Sequence, residues 1–295
     1  MSKLMNRLLV FFIGVPICVA LCFVDFLHFL PIRLICLVFC CIASLEFSNI
    51  LSKKIKIQNK YFVMCLSFLI ILFTCLQDYC SFDSSVLYLA FYFTIFLSFT
   101  VEIFSPKSAN ENFSSSIEKL CSTLLIILYC GLFFSFIVRM TSPLWFSQFA
   151  FSKPIMNSLY FTLFLIIVFG TDSFAWFFGM TMGKNNRGYI KASPNKSIAG
   201  FVGGILTTIL VTILVVRFIP IFNEYFSHIS TFEIIFISLL TSIVAIIGDL
   251  LESVLKRASG VKDSGNLIPG RGGVLDSIDS ILLAAPIYYL LIKIF

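Results

Sequence analysis

Nine apolar runs divide this chain, at about 8–30, 34–51, 61–77, 86–104, 120–139, 158–182, 199–219, 233–252 and 274–294. A run of about 20 apolar residues is long enough to cross a hydrocarbon layer of about 30 Å as a helix. Inside such a layer every backbone N–H and C=O must be satisfied within the protein, which a helix does locally. The pattern therefore predicts an all-α, polytopic integral membrane protein with about nine transmembrane helices. Only Pro31–Arg33 separates the first two runs, so these two can also be one broken unit. There is no fixed-period repeat and no long polar insert.

Composition supports the same conclusion. Of 295 residues, 59% are hydrophobic and 12% charged, with 21 Lys+Arg against 15 Asp+Glu, and the mean hydropathy is +1.02. Soluble domains carry about 25% charged residues, and a water-soluble fold of this size still exposes about a quarter of its unfolded surface. These charges are too few to solvate that surface. A soluble enzyme, a disordered chain and a secreted disulfide scaffold are excluded, and the net charge of +6 points to no nucleic-acid partner. The ten cysteines lie in or beside apolar runs without C-x-x-C spacing and read as small buried hydrophobes. Lys3 and Arg7 before an apolar run resemble the start of a signal peptide, but the run to Val24 is long for one. A retained first helix is expected.

Placing the N-terminus inside puts sixteen Lys and Arg on inner segments and five (Arg33, Arg139, Lys153, Arg217, Lys293) on outer ones. That asymmetry predicts a cytoplasmic N-terminus. The chain reads as two parts. Residues 1–150 form a scaffold of membrane helices and a lipid-side wall, and 151–295 form the catalytic helices with their cytoplasmic loops.

The polar residues of the first part are sparse. Glu46, near the inner end of the second run, reads as a snorkelling or capping carboxylate, and Asp25 and His28 as interfacial. The second part differs. Asp172 lies within the sixth run, Asp249 and Glu252 end the eighth, and Asp276 and Asp279 open the ninth. Ionisable groups in membrane segments are costly unless paired, hydrated or metal-bound, so each is a functional candidate. Each i, i+3 pair shares a helix face, and under the expected orientation both pairs reach the cytoplasmic boundary. Hard oxygen donors without soft ones suit Mg²⁺. Charge balance by Lys256, Arg257, Lys262 and Arg271 is a second reading, and a proton or Na⁺ pathway a third.

Phosphate-binding chemistry flanks the carboxylates. In Ser193-Pro194-Asn195-Lys196-Ser197, Ser193 reads as an N-cap with Pro194 at the first helical position. Such a helix N-terminus beside Lys196 suits a phosphate; an ordinary membrane-helix start after a basic loop is the other reading. The run Pro269-Gly270-Arg271-Gly272-Gly273 allows close backbone approach, and Arg271 can fork two phosphate oxygens. A plain tight turn explains Gly270 but not the whole run. No Walker A loop, H-E-x-x-H or G-x-S-x-G is present, so hydrolysis by a nucleophilic Ser or Cys is not supported.

Together, Gly248-Asp249-Leu250-Leu251-Glu252-Ser253-Val254-Leu255-Lys256-Arg257, Lys262-Asp263, and Pro269 to Ser280 resemble the C-terminal signature of the phosphatidate cytidylyltransferases. That signature has the form S-x-x-K-R-x4-K-D, then H-G-G-x-x-D-R-x-D. Asp172-Ser173-Phe174-Ala175-Trp176 with Gly179 and Gly183-Lys184 is similar to the family's D-x-x-A-[YW]…G…G-K, and Ser193 to Gly200 to its S-P-x-K-[TS]-x-x-G. The resemblance spans about 165–285. Arg271 replaces the usual His, Ser277 the usual Arg, and Ala199 stands where Glu is common.

The resemblance implies transfer of the cytidylyl group of CTP to phosphatidate, giving CDP-diacylglycerol and pyrophosphate in phospholipid biosynthesis. It implies a multi-pass protein of the bacterial inner membrane with its active site facing the cytoplasm. Asp249 and Asp276 are then the primary Mg²⁺ ligands, with Asp279, Glu252 and Asp172 as ligands or supports. Lys256 and Arg257 join Asp249 and Asp276 in catalysis, while Ser193, Lys196, Lys262, Arg271, Gly272 and Gly273 bind substrate. A monovalent cation beside Mg²⁺ and a homodimer are compatible with the sequence. A CTP-dependent polyprenol kinase and a carboxylate-based cation transporter are the competing expectations.

Overall fold

The computed structural model describes residues 14–24, 26–27, 29–80, 83, 85–105, 114–142 and 154–295. Eight helices among them are long and apolar enough to cross a membrane, which makes the chain a multi-pass membrane protein. Among the described residues the extended pairings are two isolated bridges, Arg187 with Ser197 and Ile268 with Gly272. The expected spans from 34–51 onward match observed helical segments to within six residues at either end, the largest differences being the start of 120–139 and the end of 233–252. The first expected span, 8–30, falls partly outside the described residues, and its described helix, α1, covers only Val15–Cys22. Asp25, His28, Lys3, Arg7, Lys107 and Lys153 also lie outside the described residues.

The chain divides into two compact units. The first joins Met1–Trp145 to Leu255–Ser277, and the second joins Phe146–Val254 to Ile278–Phe295.

In the first unit, α2 (Leu30–Leu51), α3 (Lys60–Tyr79) and α4 (Ser85–Phe104) are followed by α5 (Ser114–Ile126), a π-helical turn (Ile127–Phe133) and α6 (Phe134–Met140). Asn59 caps α3 by accepting from the N–H groups of Tyr61 and Phe62. Leu66, Ile70, Leu87 and Ile127 form a buried cluster. At Gly131 the π-turn lies so close to α3 that a Cβ would stand 2.9 Å from Ile70 Cδ1. Wide turns of this kind shift a helix's register where a straight helix would clash. Arg33 pairs with Asp78, both 1% exposed, and its Nε donates to Thr141 Oγ1 at 3.1 Å. The pair ties the start of α2 to the ends of α3 and α6.

The α4 pattern is inverted relative to a soluble helix. Its buried residues are Leu87, Ala90, Thr94, Ser98 and Glu102, while Leu89, Tyr92, Phe96 and Phe104 are exposed. Small and polar groups pack inward and large apolar ones face out, as expected where lipid is the solvent. Of the cysteines, Cys36, Cys40, Cys75 and Cys130 are buried, whereas Cys65, Cys80 and Cys121 are exposed. The reading as buried hydrophobes therefore holds for only part of them; Cys65 and Cys121 sit on outward helix faces, and Cys80 follows the end of α3.

In the second unit, α7 (Pro154–Thr181) packs along α8 (Ile198–Phe218), followed by the short α9 (Pro220–Phe226) and by α10 (Thr231–Ala258), which runs into this unit as far as Val254. Buried Gly200, Gly204, Thr208, Thr212 and Val216 recur every fourth residue on α8. A Cβ at Gly200 would stand 2.6 Å from the Ala175 carbonyl oxygen and one at Gly204 3.0 Å from that of Thr171, so the two backbones approach through glycine. Thr171 Oγ1 donates to Ser242 Oγ at 2.8 Å, joining α7 to α10. The final helix, α11 (Leu275–Ile294), contributes its length from Ile278 onward. A Cβ at Gly248 would meet the Asp279 carbonyl oxygen at 2.7 Å, which fixes how closely α10 and α11 pass here.

Candidate active site

A cavity of about 450 Å³ opens in the second unit. The α7 wall includes Asp172, Ala175, Trp176, Gly179 and Met180, residues at i, i+3, i+4, i+7 and i+8 that share one helix face. Opposite stand Asn195, Lys196, Ser197 and Gly200 at the start of α8, with Ile246 and Asp249 from α10. Two stretches that the sequence separates by some twenty residues thus line one chamber, and Asp249 completes it.

The entrance to α8 differs from the expectation. Ser193 does not cap it. The N-cap is Ser197, whose backbone is extended and whose Oγ accepts from Gly200 N at 3.0 Å. Ser193 instead belongs to a turn closed by Lys196 N donating to its carbonyl at 3.1 Å, while Gly188 N donates to the Pro194 carbonyl. This folded loop delays the helix by four residues and leaves Lys196 just before the cap, pointing into the cavity. There its Nζ pairs with Asp249, the two side chains being 24% and 30% exposed. Arg187 also lines the cavity and donates to the Gly179 carbonyl at 2.5 Å; among many inner basic residues, nothing in the sequence singles it out. Trp176, Asn195 and Ser197 belong to the sequence motifs, which by themselves give them no role. The i+4 relation of Trp176 to Asp172 was the signal available for its place on the wall.

Three further acids of this unit, Asp172, Glu252 and Asp279, gather with Asp249. Asp279 lies within electrostatic range of Asp249, Glu252 and Asp172. Glu252 is 1% and Asp279 8% exposed, while Asp172 is exposed on the cavity wall. Among the described residues no three His, Cys, Asp or Glu side chains stand in a ligating arrangement. The chemistry of the donor set still fits a hard divalent cation: it is carboxylate throughout, without thiolate or imidazole.

The first unit holds a second constellation. Lys256 Nζ donates to Asp276 Oδ1 at 2.6 Å. Asp276 Oδ2 accepts from Ser264 N at 2.8 Å and from Gly273 N at 2.7 Å. Charge balance by a basic neighbour, the second sequence reading, is thus realised at Lys256. Arg257 is exposed and donates to the Val261 carbonyl, Lys262 is exposed, and Arg271 is half-buried in the glycine turn. That turn has its own physical reasons. Gly270 and Gly272 take φ of +81° and +117°, where side chains are disfavoured. A Cβ on Gly273 would collide with Ser264 and with Glu46.

Over residues 5–295 the chain matches the profile of the Cytidylyltransferase family. It is 39% identical over 132 residues to a phosphatidate cytidylyltransferase of Bacillus subtilis (strain 168), covering 44% of this chain and 46% of that protein. It is 41% identical over 123 residues to the protein of that name from Haemophilus influenzae, covering 42% of each. With the one from Staphylococcus aureus (strain COL) it shares 33% identity over 199 residues, 67% of each chain. The matched stretch spans less than half of the first two relatives.

Proposed function

Because this chain belongs to the Cytidylyltransferase family, we propose that it transfers the cytidylyl group of CTP to phosphatidate, the reaction named by its relatives. The observation that carries this reading is the cavity that collects Asp172 and Trp176 from α7, Lys196 from the loop before α8 and Asp249 from α10.

In the proposed reaction a phosphate oxygen of phosphatidate forms a bond to the α-phosphorus of CTP. The bond between the α- and β-phosphates breaks, and pyrophosphate leaves with that electron pair. The attacking phosphate is already ionised, so positioning and charge neutralisation carry the barrier. Lys196 and Arg187 would hold the triphosphate at the cap of α8, and Trp176 would offer its ring face to the base. Lys256, Arg257, Lys262, Arg271 and the turn at Gly272 and Gly273 would balance phosphate charge, and Ser193 would position the loop before Lys196. In the second unit Asp249, with Asp172, Glu252 and Asp279, would hold Mg²⁺; in the first unit Asp276, held by Lys256 and two amides, is a ligand that the family resemblance implies. When bound, the ion would supply charge neutralisation at the phosphates. The excess of inner Lys and Arg supports a cytoplasmic site in a bacterial inner membrane, and self-association as a homodimer is compatible with this reading.

The test is direct. Purified protein is incubated with labelled CTP, phosphatidate and Mg²⁺, and the products are identified. Pyrophosphate with CDP-diacylglycerol supports the reading; release of CDP would identify a kinase instead, and absence of nucleotide turnover would overturn both.

A further inference from the structure

Glu46 lies on α2, more than two hundred residues before the acidic signature, and is 7% exposed. Its carboxylate sits at the N-terminus of α11, where it accepts from Val274 N at 3.1 Å and Leu275 N at 2.8 Å. A helix start leaves N–H groups without partners within the helix, and the usual remedy is a local Ser, Thr, Asp or Asn at the cap. Here the residue before Leu275 is Val274, whose side chain offers no acceptor, so the carboxylate comes from a distant helix.

The same carboxylate reaches Asp276 through one intermediary. Ser264 Oγ donates to Glu46 Oε2 at 3.1 Å and accepts from Asp276 N at 3.3 Å, while the Ser264 amide donates to the Asp276 side chain. Glu46 thereby clamps both strands of the loop that frames Asp276. The glycines around it are small for this reason: a Cβ on Gly265 would stand 2.5 Å from Glu46 Oε1, and one on Gly273 would overlap the carboxylate.

We infer that Glu46 is a positioning residue for the transfer reaction, setting the backbone and side chain of Asp276 through Ser264 and the first turn of α11. The inference rests on the proposed cytidylyl transfer, and its test separates the two. Full-length wild type, Glu46→Gln, Ser264→Ala and the double variant are purified in detergent. Amide exchange over residues 263–276 is measured alongside kcat and KM for CTP, with kcat normalised to folded protein. Exchange in 263–276 is expected to quicken in both single variants. The expected fall in kcat is about 10- to 100-fold, with KM for CTP changing by less than about threefold. The double variant is expected to be no slower than Glu46→Gln alone, since the two residues act through one link. Unchanged exchange, kcat within about twofold of wild type, or fully additive losses would each overturn the inference. If Glu46→Gln does not fold, Ser264→Ala alone decides, because it removes only the bridging hydroxyl. If wild type itself makes no CDP-diacylglycerol, the proposed activity falls, and the exchange data still decide whether Glu46 holds the Asp276 loop.

Discussion

Lys256 Nζ lies 2.6 Å from Asp276 Oδ1, with the two side chains only 13% and 6% exposed. Lys196 holds Asp249 in a more open setting, at 24% and 30%. The two pairs use the same chemistry in surroundings of different polarity, and that difference separates their expected mutant behaviour.

Replacing Lys256 by Met leaves Asp276 shielded and without its cation. Removing one partner of this part-buried pair leaves a poorly solvated charge uncompensated, at a cost of about 1–3 kcal/mol, so the variant should melt at a visibly lower temperature in detergent as well as lose turnover. An unchanged melting temperature would show that Asp276 finds equal compensation from its two amide donors.

Asp249→Asn should behave differently. Its pair is partly solvated, so the stability change is expected to stay below about 1 kcal/mol. Turnover should nevertheless be abolished if Asp249 holds the cation that neutralises the phosphates. Near-normal activity in both Asp249→Asn and Asp276→Asn, assayed as CDP-diacylglycerol formed, would remove the carboxylates from the mechanism.

Cation dependence gives an independent check. Chelation with EDTA should stop turnover, and added Mg²⁺ should restore it, because hard carboxylate oxygens select such an ion. Full activity in excess EDTA would refute the metal role.

Trp176 is 60% exposed and lines the cavity, so truncation opens no core. Trp176→Ala should raise KM for CTP by about 3- to 10-fold, the worth of an aromatic contact, with the melting temperature unchanged. A KM equal to that of wild type would place the base elsewhere.

Gly200→Ala probes the helix contact that shapes the cavity. The added Cβ would sit 2.6 Å from the Ala175 carbonyl, and overpacking of this kind costs about 1–3 kcal/mol. Thermal unfolding in detergent reads the loss directly; an unshifted transition would mean that α7 and α8 separate freely.

Much of this molecule was legible without coordinates. Hydropathy alone located the eight long apolar helices among the described residues, because a span must be apolar for its whole length whatever it packs against. The acids were legible for the complementary reason: a carboxylate such as Asp249 or Asp279 is costly in an apolar helix and stands out wherever it occurs. The i, i+3 and i+4 spacing of Asp172, Ala175 and Trp176 was equally available, since a helix of known register determines its own faces.

Other features required the folded chain. The α8 cap at Ser197 rather than Ser193 depends on how the 183–197 loop closes on itself, and several residues in that stretch are compatible with capping. The cavity depends on α7, α8 and α10 packing together through glycine contacts that hydropathy does not encode. Glu46 shows the limit most plainly. Its sequence neighbourhood allowed a snorkelling or capping carboxylate and named no partner, because the N–H groups that it satisfies belong to Val274 and Leu275. Sequence by itself determined which segments enter lipid and which residues are too polar to be there without a task. Tertiary structure alone decided which of those residues meet, because hydrogen bonds between distant segments depend on chain path and leave no periodic trace in the sequence.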